Sequence, residues 1–259
     1  VDRSEGRVKI SQRKYAEDVL KRFRMEESRS VNTPMLVSDR DEEARKGVKE
    51  FDQKTYQSAV GSLIYLATGT RPDLTYAVSK VAKKSNQPNE DDWTRVKRIL
   101  RYVNGTIDKG IVYERGDGGL RGYADAAYAE EPGRKSRSGY VFVKNGGAVS
   151  WRSKDQTVIA SSSTEAEYVS LELASREALA LRGILAELRM SDGEIVVILE
   201  DNKSTIQLVE NAIYSERTKH IDVKYHAVRD RMKKGMIAVK YCEGTKMTAD
   251  ILTKPLAFI

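Results

Sequence analysis

Through roughly the first hundred residues the apolar positions recur every three or four residues, and beyond the turn Arg115-Gly116-Asp117-Gly118-Gly119 they alternate or run together in short blocks. The front part predicts a short strand at Gly6–Ile10 and a helix from Ser11 whose Tyr15, Val19, Leu20 and Phe23 form one stripe. Residues 36–50 are charged and aperiodic, which predicts a loop or linker. Three helices follow. Residues 51–70 carry an apolar face through Tyr56, Val60, Leu63, Ile64 and Ala67, and residues 71–84 open with Pro72 at a favoured first-turn position. Residues 89–106 begin with Asn89 to Asp92, suited to a helix N-terminus, bury Trp93, Val96, Ile99, Leu100 and Val103, and stop near Gly105. A strand is expected at Ile111–Tyr113.

Past the turn the pattern predicts strands at Leu120–Ala124, Gly139–Lys144 and Ala148–Arg152, with Asn145-Gly146-Gly147 as a hairpin turn between the last two. A long helix is expected over Ser163–Arg189, a strand at Ile195–Leu199 and a helix at Lys203–Glu210. A helix at Asp222–Lys234, a strand at Ile237–Tyr241 and a terminal helix from Thr248 complete the order β-β-β-α-β-α-α-β-α. Three antiparallel strands followed by alternating strands and helices imply an α/β fold, a mixed sheet flanked by helices. The boundary therefore falls at the turn, with a mainly helical segment over 1–116 and an α/β domain over 117–259.

Composition narrows the setting. With 259 residues, 40% hydrophobic and 32% charged, and a negative mean hydropathy, the chain reads as ordinary globular protein. No run approaches the roughly 18 apolar residues of a membrane span. The opening VDRSEGRVKI has no starting Met and no leader pattern, so the chain is expected to be a piece of something longer. One cysteine, Cys242, excludes an internal disulfide framework and, with only His220 and His226 beside it, a zinc site; an intracellular setting is expected. Net charge is +7, and from Arg217 to Lys240 eight Lys or Arg stand against Asp222 and Asp230. That excess of six positive charges suits a polyanionic partner, although a solvated helix face would look the same.

Four acidic residues lie where the predicted elements would bring carboxylates to one sheet edge: Asp125 after LRGYA, Glu167 near the start of the long helix, Asp201 after IVVILE, and Asp250 in the last helix. Each has an ordinary alternative. Asp125 could sit at an exposed strand end, and Thr164-x-x-Glu167 reads as a capping box. Asp201-Asn202 could cap a helix, and Asp250 suits a helix start. Independent caps would have no reason to converge, however. Carboxylates about 4 Å apart repel by roughly 4 kcal/mol per pair at an effective dielectric of 20, so such a cluster needs protons or cations. Hard oxygen ligands select magnesium or manganese, and a pair of such ions suits phosphodiester hydrolysis.

In order and spacing, YADAAYAE, RKSRSGYVFVKNGGAVSWRSKDQTVIASSSTEAEY, LEDNKSTIQL, RTKHIDVKYHAVRDRM and TADILTKPL resemble the ribonuclease H region of copia-type retrotransposon polyproteins. The resemblance spans residues 120–256. VKISQRKYAEDVLKRFRME, VNTPM and YQSAVGSLIYLATGTRPDLTYAVS are similar to the tail of the same polyprotein's reverse transcriptase. The resemblance implies an RNase H-like mixed five-stranded sheet preceded by a thumb-like or connection-like helical segment. It also implies hydrolysis of the RNA strand of RNA·DNA hybrids with two magnesium ions, manganese being possible.

By position, Asp125, Glu167, Asp201 and Asp250 match the family's metal-binding carboxylates, with Glu165 the rival for the second place. Arg217, Lys219, Lys224, Lys233 and Lys234 are the expected phosphate contacts, which position a duplex without reading its bases. His220 and His226 are expected to be structural or to contact phosphate. The implied partners are the hybrid duplex and the polymerase core upstream in the parent polyprotein, and the implied location is a cytoplasmic virus-like particle or the nucleus. Two departures stand out: Glu243–Met247 lacks the histidine that many ribonucleases H carry before the last aspartate, and Ala127-Tyr128 replace the usual aspartate and tryptophan. No polymerase aspartate pair on a hairpin is present, so the chain should not synthesise DNA. A degenerate fragment that binds nucleic acid without cutting is the competing expectation.

Overall fold

The computed structural model describes all residues except 5, 38–48, 117, 191–194, 211–221 and 256–259, and the side chains of 4, 132 and 222–226 lie outside that description too. The chain forms two compact units, Val1–Glu114 together with the residues from Lys254, and Arg115–Thr253.

In the first unit β1 (Asp2–Ser4), β2 (Arg7–Ile10) and β3 (Ile111–Glu114) make a three-stranded antiparallel sheet in that order. The strand β1 has no apolar alternation and was not anticipated from the sequence. Helices α1 (Arg13–Arg22), α2 (Gln53–Gly69), α3 (Thr75–Ala82) and α4 (Glu90–Gly105) pack their predicted stripes into one core containing Val19, Leu20, Tyr56, Leu63, Ile99 and Leu100. Ile64, assigned to the buried face of α2, is instead exposed. Local chemistry sets the helix starts. Asp52 accepts from the Thr55 amide at 2.8 Å, and Asn89 and Asp92 form a complete capping box. Pro72 opens a 3₁₀ turn, Pro72–Leu74, ahead of α3 rather than α3 itself. Buried Arg71 donates to Asp73 and to the carbonyl of Thr106, satisfying a cation that would otherwise be costly inside a small unit.

The second unit is the expected α/β architecture. Its five-stranded mixed sheet runs β6-β5-β4-β7-β8, with β4 (Arg121–Glu131), β5 (Lys135–Lys144) and β6 (Gly147–Asp155) antiparallel and β7 (Val196–Glu200) and β8 (Ile237–Tyr241) parallel to β4. Asn145 and Gly146 both take positive φ in the two-residue β5–β6 hairpin, as an Asn-Gly turn requires. Helix α5 (Ser163–Glu187) crosses β4 and β5, and α6 (Lys203–Glu210) and α7 (Asp222–Lys233) lie along it. Tyr168, Leu171, Ala174 and Ala178 of α5 meet Ala124, Phe142, Val196 and Ile198 of the sheet.

Two expectations are corrected. Strand β4 does not end at Ala124 but continues to Glu131 through a bulge, because β5 pairs with it well past Asp125. The terminal helix from Thr248 is a five-residue 3₁₀ segment, Thr248–Leu252, that lies on β5. Its close approach requires Gly139, where a Cβ would come within 2.6 Å of the Thr253 methyl and 3.0 Å of Leu252.

Candidate metal centre

Asp125 lies in the middle of β4, paired with Gly139, and is almost fully buried. Two hydroxyls hold it. Ser170 of α5 donates to the Asp125 carbonyl at 2.7 Å, tying the helix to the strand at this level, and Thr253 donates to Asp125 Oδ2. Thr253 in turn follows the 3₁₀ segment, its hydroxyl 3.2 Å from the Asp250 carbonyl oxygen.

Glu167 enters from the second turn of α5. The capping work assigned to it belongs to its neighbours: Ser162 accepts from the Glu165 amide at 3.2 Å, and the Glu165 carboxylate accepts from the Ser161 amide at 2.7 Å. Glu165 is thereby directed at the helix start, and Glu167 is left buried beneath the sheet edge. The helix start is itself fastened. Gln156 donates to Ser138 and to the Ala166 carbonyl, and Thr205 Oγ1 donates to the Thr164 carbonyl.

Asp201 follows β7. Here Asn202 caps the following helix, its side chain accepting from the Thr205 amide at 3.0 Å. The result is a group of three: Asp125, Glu167 and Asp201 each offer a carboxylate oxygen, all within 4.8 Å of one another. Asp250 stands outside this trio, half-buried in the 3₁₀ segment, and its charge and that of Asp201 both reach the Cys242 thiol.

A further carboxylate, missed in the sequence, lies beside the trio. Glu200 is 0% exposed; its Oε1 accepts from the Asn202 amide at 3.0 Å, and its Oε2 is buried without a hydrogen bond among the described residues. The signal was present in the alternation of β7, since Val196 and Ile198 face the core and the same phase carries Glu200 inward. Its position at the end of an apolar run drew attention to Asp201 instead.

Burial and crowding decide the protonation of this cluster. The Glu167 carboxyl is pushed up to about 11, first by burial and then by Glu200, Asp125 and Asp201, against a weaker opposing hydrogen bond from the Ala126 amide. Glu200 is raised well above the ordinary carboxylate range, again chiefly by burial, with the Asn202 amide opposing. Glu167 Oε2, like Glu200 Oε2, is buried with no hydrogen-bond partner among the described residues. Three converging carboxylates, with Glu167 Oε2 buried and without a hydrogen bond among the described residues, are a hard-oxygen donor set that fits a divalent cation such as magnesium or manganese.

The basic candidates divide differently. Arg217, Lys219 and His220 lie outside the described residues, as do the side chains of Lys224 and His226. Lys233 and Lys234 are exposed at the end of α7, Lys234 pairing with Asp230 at 2.7 Å. Arg229 and Arg231 of the same charged stretch serve packing, donating to the Leu208 carbonyl and to Ser175 respectively.

No family model matches the chain. The Pol polyprotein of the tobacco transposon TNT 1-94 is 38% identical over 259 residues, covering 98% of this chain and 19% of its own length. That of transposon RE2 from Arabidopsis thaliana is 38% identical over 250 residues, covering 96% of this chain and 17% of its own. The chain belongs to the family of copia-type retrotransposon Pol polyproteins. It spans less than a fifth of the length of these Pol relatives. Among solved structures, LC11-RNase H1 in complex with an RNA/DNA hybrid is 17% identical, with 52% of this Pol chain and 94% of that chain covered and a TM-score of 0.41. Among the described residues, no helix is long and apolar enough to cross a membrane.

Proposed function

We propose that this Pol chain hydrolyses the RNA strand of RNA·DNA hybrids at the carboxylate site of its second unit, with residues 1–116 serving as a thumb-like or connecting segment of the parent reverse transcriptase. The observation that carries the reading is the convergence of Asp125, Glu167 and Asp201, from a strand, a helix and a strand end, within 4.8 Å. Asp125, Glu167 and Asp201 would hold divalent magnesium or manganese, with Asp250 alongside. Such ions, when bound, supply Lewis-acid activation of a water and neutralise the leaving oxygen of the phosphodiester. The chain's own contribution is placement. Thr253 and Ser170 fix Asp125, the Ser162–Glu165 cap fixes the turn that presents Glu167, and the Asn202 cap leaves Asp201 at the edge. Recognition would be largely electrostatic, with the exposed Lys233 and Lys234 among the backbone contacts.

The test is cleavage of a labelled hybrid in magnesium or manganese. Asp201→Asn should lower the rate by at least about a hundredfold while the chain stays folded. A folded wild-type chain that leaves the hybrid intact in both metals would refute the proposal.

A second reading, a fragment that binds nucleic acid without cutting, is favoured by Ala127 and Tyr128 beside Asp125 and by the extra buried acid Glu200. Hybrid binding without turnover, under conditions where calorimetry detects a bound divalent ion, would select it.

A further inference from the structure

Asp201 and Glu167 reach the trio from different elements, and a chain of four hydrogen-bonding residues, Glu200, Asn202, Thr205 and Thr164, joins the two places. It begins at the end of β7, where Glu200 is fully buried. The Glu200 carboxylate turns back along its own backbone to accept from the Asn202 amide at 3.0 Å, and the Asp201 amide adds a further hydrogen bond to it. The Glu200 carbonyl accepts from the Cys242 amide at 2.9 Å, which ties the same turn to the residue after β8. Asp201 is therefore flanked on both sides by fixed residues.

The chain continues through α6. Asn202 Oδ1 accepts from the Thr205 amide at 3.0 Å, and Thr205 Oγ1 donates at 3.2 Å to the Thr164 carbonyl in the first turn of α5. That hydroxyl bridges 41 residues of sequence from a fully buried position. Threonines inside helices commonly turn the hydroxyl back on the carbonyl of their own preceding turn, so the reach to α5 is not the local default. Thr164 stands three residues before Glu167, about one turn away on the same helix face. Valine would fill the same buried space, and a buried hydroxyl is costly unless bonded, so the threonine is explained by the carbonyl it meets.

We propose that Glu200, Asn202 and Thr205 form a strap that fixes the spacing between Asp201 and Glu167, and that this spacing makes the centre selective for a small divalent cation. All are positioning residues that act through the two carboxylates. Magnesium demands near-ideal geometry at about 2.0–2.1 Å, whereas calcium accepts a looser shell at about 2.3–2.6 Å. Discrimination between them therefore depends on how rigidly the carboxylates are held. The inference rests on the metal-binding part of the proposed function and is independent of cleavage.

The experiment titrates magnesium and, separately, calcium into the full chain by calorimetry, with no nucleic acid present. Thr205→Val should weaken magnesium binding about 10- to 100-fold and calcium binding by about threefold or less. Thr205→Ser, which keeps the hydroxyl, should restore the wild-type ratio of the two affinities. Should Thr205→Val not fold, Asn202→Gly removes the side-chain acceptor at a position where helix starts tolerate glycine, and it should shift the ratio the same way. A fault of structure alone would weaken both ions equally. Equal losses, or no loss, in a folded variant of a wild type that binds magnesium overturn the strap and leave the metal centre standing. A folded wild type that binds neither ion overturns the metal centre and the strap with it.

Discussion

At the scale of single residues, the site is a problem of buried and crowded negative charge. Glu167, held near 11, and Glu200, also raised, keep protons in the folded state that the unfolded chain releases near 4.5. Their sign is therefore opposite to that of a salt-bridged carboxylate. In the absence of divalent ions, the stability they permit is intact below about pH 4.5 and declines as pH rises toward the folded values, by up to about 1.4 kcal/mol per pH unit for each group. Chemical denaturation in chelator should show a lower unfolding free energy at about pH 8 than at about pH 6, and Glu200→Gln should flatten that difference; a wild-type chain equally stable at both would contradict the assignment. Metal binding should release protons for the same reason, so magnesium affinity should rise with pH. Thr253 offers a second, independent probe. Its hydroxyl holds Asp125 across 128 residues of sequence, and Thr253→Val keeps the volume while removing the donor. Calorimetry should then give magnesium affinity about 10- to 100-fold weaker, with the fold intact.

At the scale of elements, the extension of β4 beyond the site depends on Arg137. This side chain is 1% exposed and bridges Glu131 at 2.9 Å and Asp155 at 2.5 Å, with Ser153 accepting a third hydrogen bond. It joins the ends of β4, β5 and β6 where the sheet passes Asp125. Arg137→Met would remove the guanidinium that faces buried Glu131, at a cost of about 3–5 kcal/mol, and adding Glu131→Leu should recover much of it. Urea melts of the single and double variants measure both numbers. Neither the extension nor the bridge was legible in the sequence, because DAAYAEE has no apolar alternation and its strand character comes from pairing with β5. The Asn145-Gly146 hairpin, α5 and the Val196–Glu200 strand were legible because turn chemistry and periodicity are local. Three of the four nominated carboxylates meet in the trio, whereas the parts that organise them are long-range: Thr253 on Asp125, Ser170 on the same strand, and Gly139 admitting the 3₁₀ segment. Glu200 was legible in principle, through the inward phase of its strand, but a charged residue closing an apolar run reads most simply as an exit from the core.

At the scale of the whole molecule, the two units keep separate cores. The core around Leu63 and Ile99 contains no residue of the sheet that carries the trio, and the cores around Phe142 and Leu252 contain none of α1 to α4. The carboxylates all belong to Arg115–Thr253. A ligand that binds only the native form of one unit stabilises that unit by mass action, and the other feels it only through whatever coupling joins them. Scanning calorimetry should accordingly resolve two transitions. Magnesium at about 100 times its Kd should raise the one belonging to the second unit by about 2.7 kcal/mol, or roughly 5–10 °C for a unit of this size. Asp201→Asn should abolish that shift. A single transition moved by magnesium would mean that the two units melt as one, and the helical core and the carboxylate site would then have to be treated as energetically linked.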